Sequence, residues 1–105
     1  MDEERNTVII KVEWQGVGLT VEYEHNWLNI DRVPDLRVAH FSIRTREEGA
    51  MLPITQTGYR SHFEHPDRVD AIGGPKAYVL AWLDAEAASP DWKARVAASK
   101  QLRLF

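Results

Sequence analysis

The sequence predicts an α+β domain, an antiparallel sheet of four or five strands packed by two C-terminal helices. Three observations carry that expectation. The first half alternates apolar and polar residues with period two around a glycine-bearing turn. The last third places its apolar residues at helical spacing and contains a Ser-Pro helix start. Strand signals precede helix signals instead of interleaving with them, which favours an antiparallel sheet covered on one face.

Each element follows from local chemistry. "TVIIKVEW" sets Val8, Ile10, Val12 and Trp14 on one face, with Thr7, Ile9, Lys11 and Glu13 on the other. "QGVG" supplies a turn, and "LTVEYE" alternates again through Leu19, Val21 and Tyr23, so the pair reads as a hairpin. "HNWLNIDRVPDLR" reads as a connection with Trp27, Leu28 and Ile30 tucked beneath it. "VAHFSIRT" is a strand with Ala39, Phe41 and Ile43 inward and His40, Ser42 and Arg44 outward. "MLPITQ" reads as a short edge strand because of Pro53, and "YRSHF" as a fifth strand or a loop. "EHPDRVDAIGGP" reads as irregular. "KAYVLAWLDAEAA" is a helix with Tyr78, Val79, Trp82 and Leu83 on its apolar stripe. In the second helix Ser89 caps, Pro90 takes the first position, Asp91 suits the helix dipole, and Trp92 and Val96 are the anchors. The four tryptophans are expected in the core, with Trp92 the first candidate for exposure.

Composition narrows the class of function. The chain has 105 residues, 44% of them hydrophobic, enough for one domain with a modest core. It contains no cysteine, which excludes disulfides and thiolate metal sites and fits a reducing cytoplasm. The opening "MDEERN" is acidic and reads as no secretion signal, and no apolar run approaches the roughly 18 residues of a membrane span. Thirteen basic and sixteen acidic side chains are interspersed, for a net charge of −3, so direct nucleic-acid binding is not expected. There is no repeat, low-complexity tract or linker. Residues 1–100 read as a single α+β domain, and 101–105 as a peptide appended to it.

The densest polar stretch is "ITQTGYRSHFEHPD". Thr57, Gly58, Tyr59, Arg60, Ser61 and His62 form a polar centre that either binds an anion or holds a structural loop. Arg60, Ser61 and backbone N–H groups near Gly58 suit a phosphate or carboxylate. The structural alternative pairs Arg60 with Glu64 or Asp67. His62 and His65, with Asp67 or Asp70, are metal-ligand types, but Pro66 argues against the helix that would align them, so no metal is expected. Ser61 and His62 point to opposite faces of a strand and make no nucleophile–base pair. The sequence therefore predicts neither a catalytic residue nor a cofactor.

The chain finishes in "ASKQLRLF", with three large apolar side chains among its last four residues. Gln101-Leu102-Arg103-Leu104-Phe105 resembles the bacterial sliding-clamp-binding motif, Q-L-x-L-F, at all four of its specified positions. By ordinary residue usage such agreement arises at a given place roughly once in tens of thousands of trials. The resemblance implies that Gln101 meets polar groups at a pocket rim and Leu102 lies along the groove. Leu104 and Phe105 fill a deep apolar pocket, and Arg103 points to water. Burying each of these apolar side chains contributes about 1.5–3 kcal/mol, which after ordering costs leaves roughly micromolar affinity. The alternative is that Leu102, Leu104 and Phe105 fold back to complete the domain's own core. Through "LPITQTGYRSHF" and "GGPKAYVLAWLD" the body resembles small uncharacterised proteins of plasmids and phages, a group that implies no activity.

The function expected is a non-enzymatic, cytoplasmic adaptor or regulator docked on the sliding clamp through its terminal peptide. Two alternatives come from other classes. One is a mobile-element inhibitor of a host DNA-processing or defence complex, and the other a small ligand-binding or enzymatic domain using Arg60, Ser61 and His62.

Overall fold

The computed structural model describes residues 7–27, 37–47 and 50–103. Four strands, β1 (Thr7–Trp14), β2 (Val17–Glu24), β3 (Ala39–Thr45) and β4 (Tyr59–Glu64), form an antiparallel sheet in the order β1-β2-β3-β4. Three helices follow, α1 (Pro66–Ile72), α2 (Pro75–Ala87) and α3 (Pro90–Arg103). The α+β architecture is the one expected, with α2 and α3 as the two C-terminal helices.

The first hairpin is set by its turn. Gln15 and Gly16 both have positive φ, 48° and 81°, between the closing pair Trp14 and Val17. That is the primed turn whose twist matches the two strands it joins. The register stacks Val12 on Leu19 and Ile10 on Val21, and across the next pair Val21 on Ile43 and Tyr23 on Phe41. These inward residues are buried apart from the half-buried Ile10, and Val79 and Leu83 of α2, Val69 of α1 and Trp92 of α3 close the core beneath them. Trp14 ties sheet to helix, its Nε1–H donating to Asp84 Oδ1 at 2.9 Å.

Three local expectations are corrected. "MLPITQ" is not a strand: Leu52 and Thr55 make an isolated bridge around a turn, and Leu52, Pro53 and Ile54 are all buried. Three consecutive buried residues plug the end of the core, which a strand exposing every second side chain cannot do. "YRSHF" is consequently the fourth strand and no fifth exists among the described residues. "EHPDRVDAI" is not irregular, because Pro66 occupies the first position of α1, where its missing N–H costs nothing. His65 caps that helix, its Nδ1 accepting from the Asp67 N–H at 3.1 Å.

The tryptophans also differ from expectation. Trp92 is only 8% exposed and lies 6.0 Å from the Trp14 ring, whereas Trp27 is the exposed one, at 36%. Leu28 and Ile30, expected beneath the same connection, lie outside the described residues.

Gly58 leads into β4 with φ of 88°, its carbonyl accepting from the Thr45 N–H at 2.9 Å. A Cβ there would meet Thr45 Oγ1 at 2.8 Å. Gly58→Ala is therefore expected to cost about 1–3 kcal/mol, from backbone strain and from displacement of Thr45. Chemical denaturation of the two proteins measures it, and an unchanged midpoint would show that the turn relaxes freely.

Candidate functional site

Strand alternation divides the polar centre between two faces. On β4, Arg60, His62 and Glu64 stand opposite Ile43, Phe41 and Ala39, and so share the helix-covered face. Tyr59, Ser61 and Phe63 stand on the open face, opposite Arg44, Ser42 and His40. Thr57 and Gly58 lie in the approach to the strand. The sequence neighbours Arg60 and Ser61 therefore do not converge on one ligand.

On the helix face β4 meets α2 through a hydrogen-bonded chain. The Tyr78 hydroxyl donates to Glu64 Oε2 at 2.9 Å and lies 2.9 Å from His62 Nε2, so the imidazole presents its Nε2–H to the phenol. Glu64 also accepts from the His65 N–H at 2.9 Å and lies 3.5 Å from Arg68 Nε. The His62 ring rests on Trp82 at 4.2 Å. Arg60 donates to the Ile54 carbonyl at 3.2 Å and lies over Trp82 at 5.4 Å. The expected carboxylate partners are engaged elsewhere, Glu64 by Arg68 and Asp67 by Arg37 at 2.9 Å.

Protonation follows from these surroundings. Burial, with Arg60 and His40 adding to it against the pull of Glu64, holds His62 below the usual histidine range. Burial raises Glu64, yet the His65 N–H, the Tyr78 hydroxyl, Arg68 and His62 together outweigh it, leaving the carboxyl below its ordinary value. Burial and then the Glu64 hydrogen bond push Tyr78 up to about 12. Tyr78 therefore stays protonated at neutral pH and bridges two β4 side chains, His62 and Glu64.

The sign of the pH dependence follows. For both His62 and Glu64 the unfolded chain takes up its proton at higher pH than the folded one. Their stabilising contributions are thus complete at neutral pH. The His62 part is lost as pH falls below its ordinary 6.5, and the Glu64 part as pH falls below 4.5. The melting temperature is expected to fall with acidification in two stages, and His62→Gln to flatten the upper one. A melting temperature that rises between pH 7 and pH 5 would contradict this.

The open face holds a constellation that sequence spacing does not reveal. His40 Nε2 lies 2.7 Å from Ser61 Oγ, and the rings of Trp27, His40 and Phe63 contact one another at 4.6–5.7 Å between centroids. The Arg44 guanidinium lies 4.5 Å over the Tyr59 ring, whose hydroxyl is 3.2 Å from Ser42 Oγ. These residues are brought together by the β3–β4 register, so only the pairing of the two strands could have pointed to them. A groove of about 750 Å³ at the opposite end of the sheet lies between the β1–β2 turn, Met51 and α3, floored by Trp14, Trp92 and Val96 and edged by Ser99 and Lys100.

No group of three or more His, Cys, Asp or Glu side chains suits a metal among the described residues. His62 faces Tyr78 while His65 caps α1, so the two histidines serve different partners. No described helix is long and apolar enough to cross a membrane. Of the terminal peptide, Gln101, Leu102 and Arg103 continue the backbone of α3, while Leu104 and Phe105 lie outside the described residues.

Fold and site together define a small α+β domain with a one-sided antiparallel sheet and a hydrogen-bonded polar seam on its inner face. The chain belongs to the family described as the KlcB third domain, whose model matches residues 7–92, from the start of β1 into the first turn of α3. Comparison with curated proteins and with solved structures gives no match.

Proposed function

We propose that this domain is a non-enzymatic adaptor that docks on the bacterial sliding clamp through Gln101, Leu102, Leu104 and Phe105. The observation that carries the reading is how α3 leaves the core over the described side chains. Through Lys100, Trp92 is the last buried residue of α3 and Val96 the last apolar side chain packed against the core. Beyond it Ala97, Ala98 and Lys100 are exposed and Ser99 is half-buried. The described side chains thus turn away from the core by Lys100, and the reading takes the apolar residues that follow in the sequence as a ligand for a partner. A role at the replication clamp places the protein in the cytoplasm and needs no direct contact with DNA. Mixing purified clamp with the full chain and with a chain ending at Lys100 tests the proposal by titration calorimetry. Binding at roughly micromolar affinity by the first alone supports it, and equal behaviour of the two rejects it.

A second reading attaches to the short Ser61–His40 contact, a hydroxyl beside a base on the open face. A fluorophosphonate probe that labels the protein but not Ser61→Ala would favour acyl-transfer chemistry, and absence of labelling would reject it.

A further inference from the structure

The two edges of the sheet are not alike. Gly18 accepts from the Arg46 N–H at 2.8 Å, so it points toward β3, and its β1 partner Glu13 points away from β2. By alternation Ile9, Lys11 and Glu13 all turn their N–H and C=O groups outward, where they meet no backbone partner among the described residues. At the other edge the Tyr59 carbonyl accepts from Thr55 Oγ1 at 2.8 Å, and its N–H donates to Thr57 Oγ1 at 3.3 Å. Arg60 and Glu64 add charge to that edge. Charge and local capping are how sheets blunt an edge, and β1 shows no such capping among the described residues. Two of the most exposed large apolar residues also sit on β1, Val8 at 49% and Ile9 at 63%.

We infer that β1 is a self-association edge, pairing antiparallel with β1 of a second copy of this chain about a two-fold axis at Ile10. The register follows from the side chains. With Ile10 opposite Ile10, Ile9 and Lys11 exchange both backbone bonds across the axis. Val8 meets Val12 on the helix face, and the aliphatic stem of each Lys11 covers the other copy's Ile9. Sliding the axis to Lys11 sets two ammonium groups directly opposite and Ile9 against Glu13, which is unfavourable. The preferred register sets no like charges directly opposite, covers Val8 and Ile9, and joins two sheets of four strands into one of eight. An edge pair of about seven residues is smaller than the roughly 1,200–2,000 Å² of a standard interface, so the dimer is weak and concentration-dependent.

The absence of native cysteine makes the geometry testable. In the preferred register the two Ile10 residues form a non-hydrogen-bonded pair with Cα atoms about 4.5 Å apart, within reach of a disulfide. The expected results are a mass that rises toward the dimer in sedimentation velocity between micromolar and about 1 mM protein, and rapid oxidation of Ile10→Cys to a covalent dimer. Ile72→Cys, on α1 and more exposed than Ile10, is the control and should nonetheless oxidise slowly. Ile9→Pro removes one outward N–H and leaves the bonds to β2 in place, so it should be monomeric with its fold retained. Should that variant unfold, Ile9→Lys, which faces Lys11 of the second copy, tests the same contact. A chain that stays monomeric to about 1 mM, an Ile10→Cys no faster than its control, or an Ile9→Lys that still dimerises overturns the inference.

Discussion

Replacing Leu104 and Phe105 together by alanine is expected to weaken clamp binding by at least about 3 kcal/mol, more than a hundredfold in affinity. The size of the effect comes from the chemistry of a short linear ligand. Two large apolar side chains supply most of the area such a peptide can remove from water, and small interfaces depend on a few anchors. Arg103→Ala, at the unspecified position of the motif, should change affinity little. The domain itself should keep its melting temperature within a few degrees, because the adaptor reading places those side chains outside the core, whose last described members on α3 are Trp92 and Val96. A peptide of residues 96–105 should bind by itself, since a linear motif carries its contacts with it. If the double variant unfolds, the terminal residues belong to the core and the adaptor reading fails. If the peptide binds and the intact chain does not, the tail is masked. The groove edged by Ser99 and Lys100 is then the place to look for it, by substituting its Trp92 floor.

The second large effect is on stability. Phe41→Ala should cost about 3–5 kcal/mol, a large part of the roughly 5–15 kcal/mol that holds a domain of this size together. Phe41 is fully buried at the centre of the sheet, stacked on Tyr78 at 5.1 Å and against Tyr23 at 4.8 Å. Its removal opens a cavity where β2, β3 and α2 meet, and it also frees Tyr78, the bridge between His62 and Glu64. Calorimetry should show a melting temperature lower by about 15–30 °C. Phe41→Leu, which keeps most of the volume, should lose far less. A loss below about 1 kcal/mol for the alanine variant would mean that the stack around Tyr78 collapses into the space.

The parts of the fold legible in the sequence are those fixed by neighbours in the chain. β1 and β2 follow from period-two alternation around Gln15-Gly16, and β3 from the same pattern in Ala39, Phe41 and Ile43. The start of α3 follows from Ser89, whose Oγ does accept from the Trp92 N–H at 3.1 Å, and from Pro90 at the first helical position. The errors have local causes too. Pro66 reads as a breaker unless the cap before it is known, and histidine is an uncommon cap. Leu52 and Ile54 look like one face of a strand, until Pro53 proves to be buried between them.

The polar centre was legible as a composition and not as an arrangement. Sequence proximity joins Arg60, Ser61 and His62, whereas the pleat separates them. His62 and Glu64 go to Tyr78 on α2, and Ser61 goes to His40 on β3. Neither Tyr78 nor His40 carries a sequence signal for that role, because the contacts span 16 and 21 positions and depend on strand register. The sequence by itself determined the α+β class, the hairpin, the last two helices and the QLRLF peptide, all of which rest on periodicity or on contiguous residues. Only the tertiary structure decided which side chains share a face and which residues of sheet and helices meet in the core, since each depends on how strands and helices separated in the chain are packed together.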